Sequence, residues 1–595
     1  MKLLRLKITQ KESFRSLPKD FEMHFLRDFD YSKATDFNPY LLAGKNGSGK
    51  SNVLEALSEI FYHLDCIYLR NKPAYFEENE EDEIKFNSKF SRVNAYELEY
   101  FIFLDKKIFP NLDHQKKAHI SIKKTENDFP KIEWVNQSDF RTNEKLSLLE
   151  SKSLLPEYVI GYASGDNEIL SLPFFKSRFI QYDAYLKSLK TKIFEDPSPE
   201  SSMIYLDESY SQIILLTNLL MWKDENVIEP FRKYVELEDV DTFRIVIRTD
   251  IEKEFGGAFS SAFSNGFDKG EKVKLLQNID NKKSDSIVFI RSYLEKLKRC
   301  ATTWNEYQNY DTYGEFDDDE EHFDESAYLT LDFKVNKETK KAFQFHFETP
   351  LKLFELFQLL IVLDVHSVSE KSKLKTYSTS NIFLNDSISY RPTVDKRIFD
   401  IKDFALKKTG KTDTIYTREF SDGEHQFLHS IGLCLLFKDT RSLFLLDEPE
   451  THFNPDWKAK FISSLRNSFN KEKKDTEETM REMIITTHSP YLISDSDSKY
   501  VFEIKKDEET KKIDNPQHPN FQTFGTSVNK IGIRIFDMPN TIGEYAQKRL
   551  QEFYAELELL KTKADMEKLI SKVKEEMGDS VERLIFVNKV FDKMK

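Results

Sequence analysis

Gly44-Lys45-Asn46-Gly47-Ser48-Gly49-Lys50-Ser51 decides the fold. The stretch fits GxxxxGK[ST]. It follows a short apolar run, Leu41-Leu42-Ala43, and precedes helical spacing over residues 51–63. A strand, a glycine loop and a helix in that order bring the N–H groups of the loop and of the helix N-terminus to one point, where they hold phosphate oxygens. Glycine is required because a Cβ would push the phosphates away. Lys50 then reaches the outer phosphates, and the Ser51 hydroxyl helps to hold Mg2+. Only 17 of the 595 residues are glycine, so the cluster stands out from its background.

Three further stretches complete the pattern. Leu443-Phe444-Leu445-Leu446 is a buried-strand signature that ends in Asp447, Glu448, Pro449 and Glu450. Carboxylates at the C-terminal end of such a strand lie where ligands of parallel sheets bind. Asp447 is placed to hold Mg2+ through water, and Glu448 to take a proton from an attacking water. Upstream, Phe420-Ser421-Asp422-Gly423-Glu424-His425-Gln426 reads on its own as a turn and helix cap. A single predicted helix separates it from the acidic strand. Downstream, Ile484-Ile485-Thr486-Thr487-His488-Ser489-Pro490 is a second buried strand, delivering a histidine to the sheet edge.

Composition narrows the setting. Lys and Arg total 88 and Asp and Glu 102, a net charge of −14, which argues against a general nucleic-acid coat. Acidic runs at residues 77–83 and 315–325 carry much of that charge and read as solvated loops. Cys66, Cys300 and Cys434 form no CxxC pair, which fits a reducing cytoplasm and offers no zinc site. No apolar run reaches the ~18 residues of a membrane helix, and charge interrupts the start too early for a signal peptide. The expectation is a cytoplasmic protein without a membrane partner.

In their order and spacing these stretches resemble the ABC-type ATPases of the SMC, RecF and OLD group. The closer likeness, carried by residues 161–168, 420–427, 445–457 and 484–492, is to the restriction-system-associated AAA-family ATPases of bacterial anti-phage defence operons, the Septu- and retron-type subunits. The resemblance covers about 1–165 and 330–535. It implies an α/β fold, an ABC-type P-loop NTPase head of mixed sheet and helices, split by a mostly helical insertion. It makes residues 44–51 the Walker A loop, Ser421 and Gly423 the signature, Asp447 and Glu448 the Walker B pair, and His488 the switch histidine sensing the γ-phosphate. Lys50, Glu448 and His488 would be catalytic, and Ser51 and Asp447 the metal ligands, with ATP and Mg2+ as substrate and cofactor. Ser421 and Gly423 of one copy would close over the nucleotide on the other copy's loop, so a homodimer or higher homo-oligomer is implied. Residues 164–167 stand in for the family's Q-loop, and Arg15 is a candidate nucleotide sensor.

The implied layout is residues 1–168 as the first half of the head, 169–326 as the insertion, 327–540 as the second half and 541–595 as a helical tail broken at Gly578. Pattern reading adds strands over 2–9, 21–25, 85–135, 158–162 and 241–248, and helices over 203–222 and 286–304. It also places a hairpin of 329–335 against 341–347, and a helix starting at Thr349-Pro350. The functional expectation is the regulatory ATPase of a defence system, acting on an effector, such as a nuclease, from the same operon, with DNA as a further partner left open. The alternatives are a RecF-like DNA-repair ATPase and an OLD-type ATPase-nuclease. The latter would need a carboxylate cluster after His488, where Glu503 stands without a well-spaced aspartate pair; Asp495-Ser496-Asp497 comes too early.

Overall fold

The computed structural model describes the chain apart from residues 26–36, 70–71, 74–75, 77–85, 87, 141, 143–144, 165–169, 192–200, 224–226, 249–285, 313–322, 380–396, 411–413, 471–480, 508, 510–511 and 539–540. A six-stranded parallel sheet forms its centre, in the order β16-β3-β15-β14-β7-β8. Its strands are β3 (Tyr40–Ala43), β7 (Val159–Ala163), β8 (Met203–Tyr205), β14 (Leu443–Asp447), β15 (Glu482–Thr487) and β16 (Val501–Glu503). These strands are apolar because helices cover both faces of a parallel sheet; every residue of β3, β14 and β15 is buried. Helix α1 (Lys50–Ile67) follows the glycine loop and lies against β7, β14 and β15.

Register brings the functional ends level. Asp447 pairs with Thr486 on one side and Ala163 on the other, while Thr487 and Glu503 both pair with Ala43. The glycine loop, the acids and the histidine therefore leave the same edge of one sheet. At the opposite end of β15, Glu482 holds the Lys2 ammonium at 3.1 Å and the N–H of Leu3 at 3.1 Å. This buried pair ties the central sheet to an antiparallel one, β2-β1-β4-β5-β6, built from β1 (Lys2–Ile8), β2 (Glu22–His24), β4 (Tyr96–Phe103), β5 (Lys117–Lys124) and β6 (Lys131–Trp134).

The expected α/β P-loop NTPase fold is present. The stretch from 169 to 326 does hold helices: α2 (Leu172–Thr191), α3 (Glu208–Met221), α4 (Glu229–Val235) and α5 (Ser286–Cys300). It also gives β8 to the central sheet and β9 (Leu237–Arg248), β10 (Thr303–Thr312) and the start of β11 (Phe323–Lys334) to a second antiparallel sheet. That sheet, β10-β11-β9-β12-β13, is completed by β12 (Phe399–Lys408) and β13 (Ile415–Tyr416). Strand pairings thus cross both expected edges of the insertion. Phe243 and Phe333 stack across β9 and β11 with centroids 4.3 Å apart. The acidic run at 77–83 lies outside the described residues, as does most of the run at 315–325; β11 begins inside the latter.

The hairpin expected at 329–335 and 341–347 is corrected. Residues 341–347 belong to helix α6 (Lys337–Phe347), capped by the Asn336 side chain on the Thr339 N–H. Their alternation misleads because Phe343 and Phe347 are also one helical turn apart. Both are buried, while Phe345 between them is 78 % exposed. β11 pairs instead with β9 and β10. Helix α7 (Pro350–Leu363) starts as read, with Thr349 as cap.

Helix α8 (Asp422–Leu436) packs on α3 so closely that a Cβ on Gly432 would lie 2.9 Å from Ile214, and the Asn218 amide donates to the Gly432 carbonyl at 2.9 Å. Helices α9 (Pro455–Asn470) and α10 (Val528–Ile535) lead to the tail, where α11 (Glu544–Leu559), α12 (Lys563–Glu576) and α13 (Val581–Met594) close on a core of their own around Phe553, Val573 and Phe586. Among the described residues no helix is long and apolar enough to cross a membrane.

Candidate nucleotide site

The loop conformation requires its glycines. Gly49 has φ +91° and a Cβ there would meet Ile513 at 2.5 Å and Ser16 at 2.8 Å. At Gly44 a Cβ would lie 2.3 Å from the Ile504 carbonyl oxygen. The loop is therefore pressed against backbone that follows β16, and the Ser48 N–H closes it on the Lys45 carbonyl at 3.2 Å. Among the described residues the buried Ser48 Oγ has no hydrogen-bond partner, which suits a group that meets a ligand.

Lys50 is buried, and its ammonium donates to the carbonyls of Gly44 and Lys45, each at 3.1 Å. It also lies 2.9 Å from His488 Nε2. Burial drives its pKa down to about 8, against the pull of Glu448 and Asp447. The Ser51 hydroxyl donates to Asp447 Oδ1 at 2.9 Å, and the Thr486 hydroxyl donates to the same oxygen. Burial pushes the Asp447 carboxyl up, partly offset by these two bonds. A hydroxyl and a carboxylate side by side are donors that suit a hard cation such as Mg2+.

Glu448 sits at φ +49°, a left-handed conformation uncommon for a non-glycine residue. Two bonds from its N–H hold it there, to the Thr486 carbonyl at 3.2 Å and the Thr486 hydroxyl at 3.1 Å. Strain of this kind gathers at functional sites. The turn aims the carboxylate at His488, whose Nε2 is 3.2 Å away. That bond holds the Glu448 pKa below its ordinary value, so the group is a ready base at neutral pH. Glu450, two residues on, is fully buried and pushed up to about 7. Its Oε1 accepts from the Thr487 hydroxyl, which in turn takes the Ser489 N–H at 2.9 Å.

The structure therefore brings Lys50, Ser51, Asp447, Glu448 and His488 together. Ser421 is bonded elsewhere, and Gly423 packs against the His452 carbonyl. Ser421 caps α8 in a reciprocal box with Glu424, whose carboxylate also takes Lys408 at 2.6 Å. Ser164 is tied to the acidic strand, its N–H on the Asp447 carbonyl at 3.0 Å; residues 165–167 lie outside the described residues. The Arg15 guanidinium is spent on Glu55, at 3.1 Å, rather than aimed at the loop. Sequence reading assigned nothing to Thr486, Gln426 or Glu450. Thr486 was visible as one of two hydroxyls, with Thr487, that close a buried strand after Met483-Ile484-Ile485, where a polar group needs a purpose.

Residues 242–494 match the family described as "AAA domain, putative AbiEii toxin, Type IV TA system". The match takes in Ser421, Gly423, Asp447, Glu448 and His488, and begins after the glycine loop. No curated protein matches the chain. Among solved structures, the chain is similar to one described as "Crystal structure of the SmcHead bound to the C-winged helix domain of ScpA", at 11 % identity and a TM-score of 0.28, over 87 % of this chain and 98 % of that one. So loose a likeness transfers no residue or role. The parallel sheet and the loop of residues 44–51 at its edge are those of the α/β P-loop NTPase fold.

Proposed function

We propose that the chain binds and hydrolyses ATP at sites completed between two copies, and that this cycle regulates an effector in a bacterial defence system. The observation that carries the reading is the convergence of Lys50, Ser51, Asp447, Glu448 and His488 at one sheet edge, while Ser421 caps helix α8 in a reciprocal box with Glu424. Lys50 neutralises the outer phosphates. Ser51 and Asp447 hold Mg2+, which when bound offsets phosphate charge. Glu448 takes the proton of the attacking water, and His488 orients Glu448 and senses the terminal phosphate. Ser421 and Gly423 of the second copy close over that phosphate from their helix N-terminus. In this reading residues 1–168 and 327–540 form the head, 169–326 an insertion and 541–595 the tail. The toxin–antitoxin wording of the family matched over 242–494 supports a defence role; the effector would be a separate protein.

The test mixes two inactive proteins. Lys50→Ala loses phosphate binding but keeps Ser421; Ser421→Arg binds ATP but blocks the partner's phosphate. A heterodimer has one site with both defects and one with neither, so mixing should restore part of the ATPase activity. Cysteines at Ser48 and Asp422 should cross-link between chains, and only with ATP. Cross-links within one chain, or equal with and without ATP, would refute the composite site.

A further inference from the structure

We propose that Gln426 is a positioning residue that locks the signature segment to the hydrolysis loop of the same chain, so that closure of one nucleotide site sets the catalytic loop of the other. The inference rests on the composite-site reading above. Gln426 lies on the first turns of α8, beyond Ser421 and Gly423, and is buried. Its amide is fully engaged. Nε2 donates to Ser164 Oγ at 2.8 Å and Oε1 accepts the His452 N–H at 2.9 Å; the Tyr162 hydroxyl bonds to it as well.

These partners are parts of the catalytic edge. Ser164 is bonded through its N–H to the carbonyl of Asp447. His452 ends the turn that begins at Glu448, closed by Thr451, whose hydroxyl donates to the Glu448 carbonyl at 2.9 Å. The next peptide is closely packed as well: the His452 carbonyl oxygen lies 2.9 Å from where a Cβ on Gly423 would be. The start of α8 thus meets the Walker B turn twice, by a hydrogen bond to the His452 N–H and by close packing of Gly423 on the His452 carbonyl. A displacement of Ser421 cannot be absorbed between the two segments, because close-packed groups pass on strain rather than soften it. In a head-to-tail pair, Ser421 of a chain touches its partner's phosphate, while Glu448 of the same chain serves its own. Gln426 joins the two.

The experiment compares wild type with Gln426→Leu and Gln426→Glu. Leucine keeps the bulk and leaves the His452 N–H and Ser164 Oγ unpaired. Glutamate still accepts from His452, and the Ser164 hydroxyl can reverse to donate. Steady-state ATPase activity is measured against ATP concentration, with binding of a fluorescent ATP analogue and thermal melting alongside. For Gln426→Leu we expect analogue affinity within about twofold of wild type, kcat down roughly tenfold or more, and a Hill coefficient reduced to about one. Gln426→Glu should recover much of both kcat and cooperativity. Unchanged kcat and Hill coefficient in Gln426→Leu would overturn the proposal, as would a fall in kcat with cooperativity intact. If Gln426→Leu melts early, the glutamate variant decides: folded but non-cooperative protein overturns the idea, and recovered cooperativity supports it. Wild type that hydrolyses ATP without cooperativity overturns the coupling alone; wild type with no ATPase activity removes the reading beneath it.

Discussion

Raising the pH should weaken ATP binding with a break near 8, and the reason lies in the burial of one ammonium. Lys50 holds its proton in a pocket of backbone carbonyls, and desolvation brings its pKa from 10.5 to about 8. At ~1.4 kcal/mol per pH unit, that gap represents about 3 kcal/mol against the charged form in the free protein. The sign follows directly. With a folded pKa below the unfolded one, the cost is fully present below about 8 and is relieved as pH climbs toward 10.5. ATP reverses the balance, because phosphates favour the charged lysine. Binding therefore takes up a proton above pH 8, and affinity should fall about tenfold per pH unit there after a flat region at lower pH. The assay is equilibrium binding of a fluorescent ATP analogue from about pH 7 to pH 9.5, a range over which the loss should reach roughly thirtyfold. Lys50→Arg, whose guanidinium stays charged throughout, should bind more weakly but without the break. Wild-type affinity that stays flat to pH 9.5 would refute the desolvated lysine, and a decline confined to lower pH would point to another group.

Glu448→Gln should bind ATP but lose about a hundredfold or more in turnover, because the water loses its base; it should gather as a closed dimer by size-exclusion chromatography with ATP, and near-normal turnover would remove Glu448 from the reaction. Thr486→Val strips a donor from Asp447 and an acceptor from the Glu448 N–H, so turnover should fall more than ATP affinity; equal losses in both would say the hydroxyl only supports the fold. Glu450→Gln should raise the melting temperature near pH 8 and not near pH 4. The raised pKa of Glu450 means stability is lost as pH rises from its ordinary 4.5 to about 7, a loss that a neutral amide escapes. Deleting residues 541–595 should leave the melting of the rest unchanged in calorimetry, since the tail has its own core; a large drop would show the two cores to be coupled.

The catalytic edge was legible in the sequence because its signals are local. The glycine loop, the acids after 443–446 and the histidine after 484–487 each follow a short apolar run, and a parallel sheet brings such ends to one side whatever the distance between them. The second antiparallel sheet was not legible. β9 showed its alternation, but its partner β11 straddles the C-terminal edge of the expected insertion and its partner β12 lies well beyond it, and nothing local says which strands pair. The helix at 337–347 was misread because Phe343 and Phe347 satisfy both periodicities; the Asn336 cap was the cue that should have decided. Gln426 and Thr486 escaped notice for a third reason. Their importance lies in bonds to residues far along the chain, which no spacing rule records.

The position of β3 has a consequence for how the molecule is made. Tyr40 pairs with Ile484, a separation of 484 − 40 = 444 residues, and Leu41 pairs with Val501 on the other side. During synthesis the glycine loop leaves the ribosome long before either of the strands that flank its own strand. Until then β3 has neither neighbour and residues 44–51 have no rigid base. Contacts so remote form slowly and leave apolar strands exposed meanwhile. A chain cut short before residue 484 would carry the whole phosphate motif yet lack the strands that hold it in shape.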